Sequence, residues 1–138
     1  MKKVVFICHG NTFRSPVAKA FYNQLKKDDS FAVSYGTHVL EQGYQNSKPY
    51  LCVGMEPEIF ELKKYSLNLS NETCNQLKEE YLADADKIIF MAEKEYIPEW
   101  LGKYKYEYWD IPNPDVFTAE GAEALTKLIR QKVVNLIG

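Results

Sequence analysis

Cys8 and Arg14 bracket the stretch "CHGNTFRSP", with Ser15 directly after the arginine. A thiolate is a nucleophile, and a guanidinium is a planar fork of donors that meets phosphate oxygens two at a time. A loop running from a strand end into a helix start can aim successive backbone N–H groups inward, with the helix N-terminus behind them. Such a cup holds an oxyanion, and a cysteine on its floor is a nucleophile aimed at phosphorus. Gly10 and Asn11 are the residues most tolerant of the positive φ that this kind of turn needs. Ser15 is placed to donate to the sulfur and help it leave in a second step. A C-x5-R spacing by itself arises often by chance, and a lone cysteine at a strand end is commonly a small buried hydrophobe. The strand before, the helix after, the Gly-Asn pair and the Ser-Pro that follows raise the specificity. The phosphate loop G-x-x-x-x-G-K-[ST] is absent, which argues against a nucleotide triphosphatase of that type.

The elements around this loop suit the task. Residues 3–8, "KVVFIC", read as a strand buried on both faces. From Ser15, "SPVAKAFYNQLKK" has helical spacing, with Ser15 at the N-cap position and Pro16 at the first helical position. "FAVSYGT" at 31–37 reads as a second strand, and 38–54 as a long irregular segment. Periodicity predicts helices over about 56–65 and over 72–82, then a short buried strand at 87–92. "EKEYIPEWLGK" reads as a short helix bent near Pro98. "YKYEYW" at 104–109 alternates Tyr104, Tyr106 and Tyr108 on one face, as a strand does. Thr118 caps a last helix whose apolar stripe is Leu125, Leu128, Ile129, Val133 and Leu136. The order β-α-β-α-α-β-α-β-α argues for an α/β fold with a parallel sheet and helices on both faces, in one domain over 1–138. Ligands of such sheets bind outside the carboxyl ends of the strands, where "CHGNTFRS" begins.

The bulk numbers narrow the field. The chain has 138 residues, 46% hydrophobic and 26% charged, with a formal net charge of −2. That length supports a core without disulfides or metals. The lysine pairs Lys26-Lys27 and Lys63-Lys64 are solvated faces rather than the basic face of a nucleic-acid binder. No segment approaches a membrane span, and "MKKVVFICHGN" lacks the length and cleavage site of a signal peptide. The expectation is a soluble, cytoplasmic protein with no nucleic-acid or membrane partner. Three cysteines, Cys8, Cys52 and Cys74, form no disulfide framework, and neither they nor the two histidines make a metal site, so no cofactor is expected.

The sequence resembles the low-molecular-weight protein-tyrosine phosphatase family, which also includes thiol-coupled arsenate reductases. The likeness rests on "VVFICHGNTFRSPVAKAF", on "SYGT" (34–37), "SLNLS" (66–70) and "ADKIIFM" (85–91), and it spans most of the chain. The resemblance implies a three-layer, flavodoxin-like fold with a four-stranded parallel sheet, a phosphate loop after strand 1, no metal, and a phosphocysteine intermediate. It makes Cys8 the nucleophile, Arg14 the transition-state clamp, Asn11 the residue that holds the loop's shape, and Ser15 the partner of the thiolate. His9, Gly10, Asn11, Thr12, Phe13 and Arg14 together would bind the phosphoryl group, with phosphate, vanadate or sulfate as simple ligands. Tyr44 and Tyr50 would form part of the pocket wall by position.

Three departures from the family pattern stand out. The second cysteine usual before the arginine is replaced by Phe13. In "WDIPNPDVF", Asn113 stands where the family places an aspartate as general acid, and the aromatic after it is replaced by Asp115. General acid catalysis is worth roughly 10²–10⁴; Asp110 and Asp115 flank the position as substitutes, although Asp115 also reads as a turn residue. Thr12 stands where tyrosine-specific members often carry isoleucine and phosphoarginine phosphatases carry threonine. The expected activity is hydrolysis of a phosphorylated protein or a small phosphate ester. The alternatives are a thiol-dependent arsenate reductase, or a degenerate phosphate-binding module that lacks an efficient acid.

Overall fold

The computed structural model describes residues 2–49, 63–112 and 119–138. The helix expected over 56–65 falls largely outside them, as do Tyr50, Cys52, Asn113, Asp115 and Thr118. Four parallel strands, β1 (Lys3–Cys8), β2 (Phe31–Gly36), β3 (Lys87–Phe90) and β4 (Glu107–Tyr108), make one sheet in the order β2-β1-β3-β4. Helix α1 (Arg14–Leu25) packs on β1 and β2 and against α2 (Ala119–Ile137). This is the flavodoxin-like arrangement.

The apolar run of β1 is central because both its faces are covered: Val4 to Ile7 are each 1% exposed or less. β2 alternates in burial along its length, as a strand at the sheet edge does. The register pairs Cys8 with Gly36 on one side, and Ile7 with Phe90 on the other. The chain order reverses between β1 and β3, so the crevice at their carboxyl ends is the switch point where such sheets bind ligands. Cys8 lies at that point.

Several expectations change. Helix α1 begins at Arg14, so Ser15 and Pro16 lie inside its first turn and Ser15 is not the N-cap. The Ser15 hydroxyl is engaged elsewhere, with Cys8 and Asn11. The helix read over 72–82 does not form; a single 3-10 turn, Glu79–Leu82, is all that appears. Its first half is extended, because Cys74 bonds Asn46 and Ser47, and Asn75 and Leu77 bond Gly36. The segment around Pro98 is two 3-10 turns, Lys94–Tyr96 and Glu99–Lys103, rather than one bent helix. Only Glu107–Tyr108 of the expected 104–109 strand joins the sheet, although Tyr104, Tyr106 and Tyr108 keep the same half-buried face. In α2, Leu128 is 37% exposed, while Ala122 and Thr126 are buried with Leu125, Ile129 and Val133. The Thr126 hydroxyl is satisfied by donating to the Ala122 carbonyl four residues back, which lets it sit inside. Among the described residues, no helix is long and apolar enough to cross a membrane.

Candidate active site

The exit of β1 is held on both sides. The Met91 amide donates to Ile7 O at 2.8 Å, the Thr37 amide to Cys8 O at 3.0 Å, and the His38 amide to His9 O at 2.9 Å. These carbonyls therefore point away from the loop interior. Among the described residues, the amides of Gly10, Asn11 and Thr12 meet no protein acceptor, as suits a cup that receives an anion. Asn11 takes the left-handed conformation, φ 57°. Gly10 does not, contrary to the reading of both residues as positive-φ positions; a Cβ there would lie 2.6 Å from Gln42 Oε1, the far end of a flexible side chain that can move aside.

Cys8 is 2% exposed, and its Sγ lies 2.9 Å from Ser15 Oγ. Ser15 is fully buried and sits at the centre of a small network. Asn11 Nδ2 donates to Ser15 Oγ at 2.7 Å and to Ser34 Oγ at 3.1 Å, and Asn11 Oδ1 accepts from the Asn75 amide at 2.9 Å. The Ser15 hydroxyl has one proton and two possible acceptors, Cys8 Sγ and Tyr35 O at 3.3 Å. A thiolate takes that proton, whereas a thiol can donate to Ser15 and leave the hydroxyl to Tyr35. The network thus accommodates both states of the sulfur without moving a heavy atom.

Arg14 is 4% exposed, and its buried charge is matched. Nη1 donates to Glu93 Oε2 at 3.1 Å and to Ile111 O at 3.0 Å, and Nη2 to Glu93 Oε1 at 3.3 Å. The pairing is bidentate, which fixes the plane of the guanidinium. Burial pushes the Glu93 carboxyl up, but hydrogen bonding from Arg14 and the charges of Arg14 and His9 outweigh it and hold the group below the usual carboxylate range.

Three rings close one side of the loop. His9 lies 4.7 Å from His38 and 4.1 Å from Tyr96, centroid to centroid, and His38 lies 5.0 Å from Tyr96. They come from the carboxyl ends of β1, β2 and β3. His38 and Tyr96 also line a cavity of about 290 Å³, with Thr37, Gln76, Pro98 and Trp100.

The structure brings Cys8, His9, Gly10, Asn11, Thr12, Arg14 and Ser15 together as the sequence suggests. Phe13 is in the loop too, but its side chain is 3% exposed and belongs to the core, so only its backbone faces the site. Tyr44 is half-buried in the turn after β2, and among the described residues no hydrogen bond or ring contact ties it to the loop. Sequence reasoning missed Ser34, Asn75, Glu93, His38 and Tyr96. Glu93 had one signal, its place just past the carboxyl end of a buried strand, and Ser34 had another, its place in the "SYGT" segment; the others had none by themselves. No group of three or more metal-ligating side chains exists among the described residues.

Comparison with known proteins agrees with this geometry. Residues 3–137 match the family described as low molecular weight phosphotyrosine protein phosphatase. The chain is 24% identical to the glutaredoxin arsenate reductase of Synechocystis sp., over 99% of this chain and 97% of that one. Among solved structures, it is similar to Vibrio vulnificus Wzb in complex with benzylphosphonate, with a TM-score of 0.79, 20% identity, and 99% and 97% of the two chains covered. It is also similar to the YwlE arginine phosphatase of Geobacillus stearothermophilus, with a TM-score of 0.76, 18% identity, and 99% and 91% covered. With the loop, the sheet order and a match over nearly its whole length in agreement, the chain belongs to the low molecular weight phosphotyrosine protein phosphatase family.

Proposed function

We propose that the protein hydrolyses phosphate monoesters through a phosphocysteine on Cys8. The observation that carries this reading is the buried Cys8 sulfur, held 2.9 Å from Ser15 Oγ at the floor of the loop that Arg14 closes. The thiolate attacks phosphorus, the P–O bond to the leaving group breaks, and water then displaces the sulfur. Loop amides from His9 to Phe13 and the free edge of Arg14 stabilise the equatorial oxygens where charge gathers. Ser15 donates to the sulfur as it leaves, and Asn11 keeps the loop in its left-handed turn. Asn113 and Asp115 lie outside the described residues and remain proposed catalytic residues on the resemblance alone. The substrate class is a phosphorylated side chain or a small ester, with Thr12 favouring phosphoarginine among the side chains. Rapid-quench kinetics with 2,4-dinitrophenyl phosphate test the route: one equivalent of dinitrophenol should appear in a burst, with phosphate trapped on Cys8 in the acid-quenched protein. A steady release with no trapped phosphate would sink it.

A second reading, arsenate reduction, is favoured by the Synechocystis relative. That chemistry needs a thiol to attack the arsenylated sulfur. Within the described residues the other thiol is Cys74, fully buried. A relay inside the chain should therefore depend on Cys52, and a relay to an external thiol on neither. Arsenate-dependent thiol loss measured in Cys52→Ala and Cys74→Ala separates the two.

The clamp gives a further prediction. Glu93→Gln keeps the shape beside Arg14 but removes the charge. It is expected to lower kcat about tenfold, the scale of one charge-assisted hydrogen bond. The inhibition constant for inorganic phosphate should stay the same or fall, because a carboxylate has left the neighbourhood of an anion. An unchanged kcat would show that Ile111 O alone is enough to orient Arg14.

A further inference from the structure

We propose that His9 is the proton donor to the leaving group, and the proton acceptor for the water that follows. This inference rests on the phosphocysteine reading above. Two other titratable groups, Glu93 and Tyr108, stand near the arginine of the loop. Glu93 is bound at both oxygens by Arg14 and is held ionised, so it has no proton to give. The Tyr108 hydroxyl donates to Ala92 O, and burial, then the charges of Asp110 and Glu93, push it above the ordinary phenol range. Both of these groups are unfit to donate.

His9 is in a different position. It follows Cys8 directly, and its carbonyl is fixed by the His38 amide. Its ring is held between His38 and Tyr96. Gln42 Nε2 donates to Nδ1 at 3.2 Å, so the neutral ring carries its proton on Nε2. The same Gln42 amide places its oxygen over Gly10, and a half-turn of that amide would bring the oxygen to Nδ1 when the ring becomes imidazolium. The ring is thus oriented in both protonation states by one side chain at the loop rim.

The charges around it set its acidity. Burial lowers the His9 value first, then the neighbouring His38 and Arg14; Glu93 and Glu41 oppose them. Cys8, with Arg14 from α1 and Tyr96 after β3, completes the surroundings. A bound phosphate dianion adds negative charge beside the ring and favours the imidazolium as substrate arrives. In the first step the Cys8 sulfur bonds to phosphorus, the P–O bond breaks, and the imidazolium proton passes to the departing oxygen. In the second, neutral His9 takes a proton from the attacking water as the P–S bond breaks, and thiolate and phosphate are restored.

The test compares two esters in one rapid-quench experiment. Phenol leaves poorly without a proton, whereas 2,4-dinitrophenol leaves well as an anion. In His9→Asn the burst rate should fall about 10²-fold for phenyl phosphate, and at least tenfold less for the dinitrophenyl ester. In the wild-type protein, kcat/KM for phenyl phosphate should fall as pH rises through a value below about 6.5, the ordinary imidazole value. Gln42→Glu keeps His9 and puts a carboxylate on Nδ1, so that limb should move to higher pH. Equal losses for both esters in His9→Asn would overturn the inference. So would an unmoved limb in Gln42→Glu, or a leaving-group-dependent loss that appears in Asp110→Asn or Asp115→Asn instead. If the wild-type protein gives neither a burst nor trapped phosphate with the dinitrophenyl ester, the phosphocysteine reading itself has failed and His9 falls with it. A burst that survives while the leaving-group contrast is missing removes His9 alone.

Discussion

Cys8→Ser is expected to lose turnover of every phosphate ester, by a factor on the order of 10⁶, the scale seen when a nucleophile that acts with its partners is removed. It should nevertheless keep inorganic phosphate bound. The two expectations separate because different atoms carry them. The cup is built from backbone amides, from Asn11 with its bonds to Ser34 and Asn75, and from Arg14 braced by Glu93 and Ile111, and none of these contacts passes through the sulfur. A hydroxyl in place of the thiol still fits beside Ser15 Oγ, but it stays protonated and attacks phosphorus poorly. Turnover of 2,4-dinitrophenyl phosphate and a phosphate titration by calorimetry measure the two properties. Turnover within tenfold of wild type would exclude Cys8 as nucleophile under either the phosphatase or the arsenate reductase reading, since both pass through its sulfur. Loss of phosphate binding along with turnover would mean that the thiolate helps build the cup.

The arginine shows why the site needs more than its loop. A guanidinium that is 4% exposed is costly unless paired, and Glu93 supplies the pair from the far side of the sheet's switch point. This leaves the substrate to compete for only part of the Arg14 donor set. An arginine aimed before the anion arrives loses little side-chain freedom on binding, which is the advantage of preorganisation.

How much of this was legible follows from distance along the chain. The loop, β1 and α1 are adjacent in sequence, so residue type and period reveal them: an apolar run, a Gly-Asn turn, then Val17, Phe21 and their helical neighbours. The partners that complete the site are remote. Glu93 meets Arg14 across 79 positions, and Asn75 meets Asn11 across 64. Nothing in either local pattern marks the pairing. The 72–82 segment was misread for the same reason. Its periodicity suits a helix, but Gly36 and the 46–47 turn offer its backbone hydrogen bonds that a helix would forgo. Ser15 carries two readings, and only one of them gives way: its type suits an N-cap, but its hydroxyl meets the sulfur seven residues earlier, as its place after Arg14 suggests.

Gly36→Ala is the second change expected to have a large effect, and it acts from outside the loop. Gly36 ends β2 opposite Cys8 in the register. A Cβ there would lie 2.7 Å from His9 O, 2.7 Å from Val39 Cγ2 and 2.8 Å from the Asn11 amide nitrogen. Val39 can turn away, but the other two atoms are backbone of the phosphate loop. Gly36 cannot retreat either, because its amide donates to Asn75 O at 2.9 Å and its carbonyl accepts from Leu77 at 2.8 Å. The loop must therefore shift, and Asn11 with it. Overpacking of this kind costs about 1–3 kcal/mol of stability. Misplacing the reacting groups by an ångström costs about 10²-fold in kcat/KM. Gly102→Ala is the matched control, since a Cβ at Gly102 meets nothing within 4 Å. Urea unfolding and kcat/KM, measured on both variants, decide the matter. If Gly36→Ala keeps wild-type activity and stability, the close approach of β2 to the loop is not what holds the cup in shape.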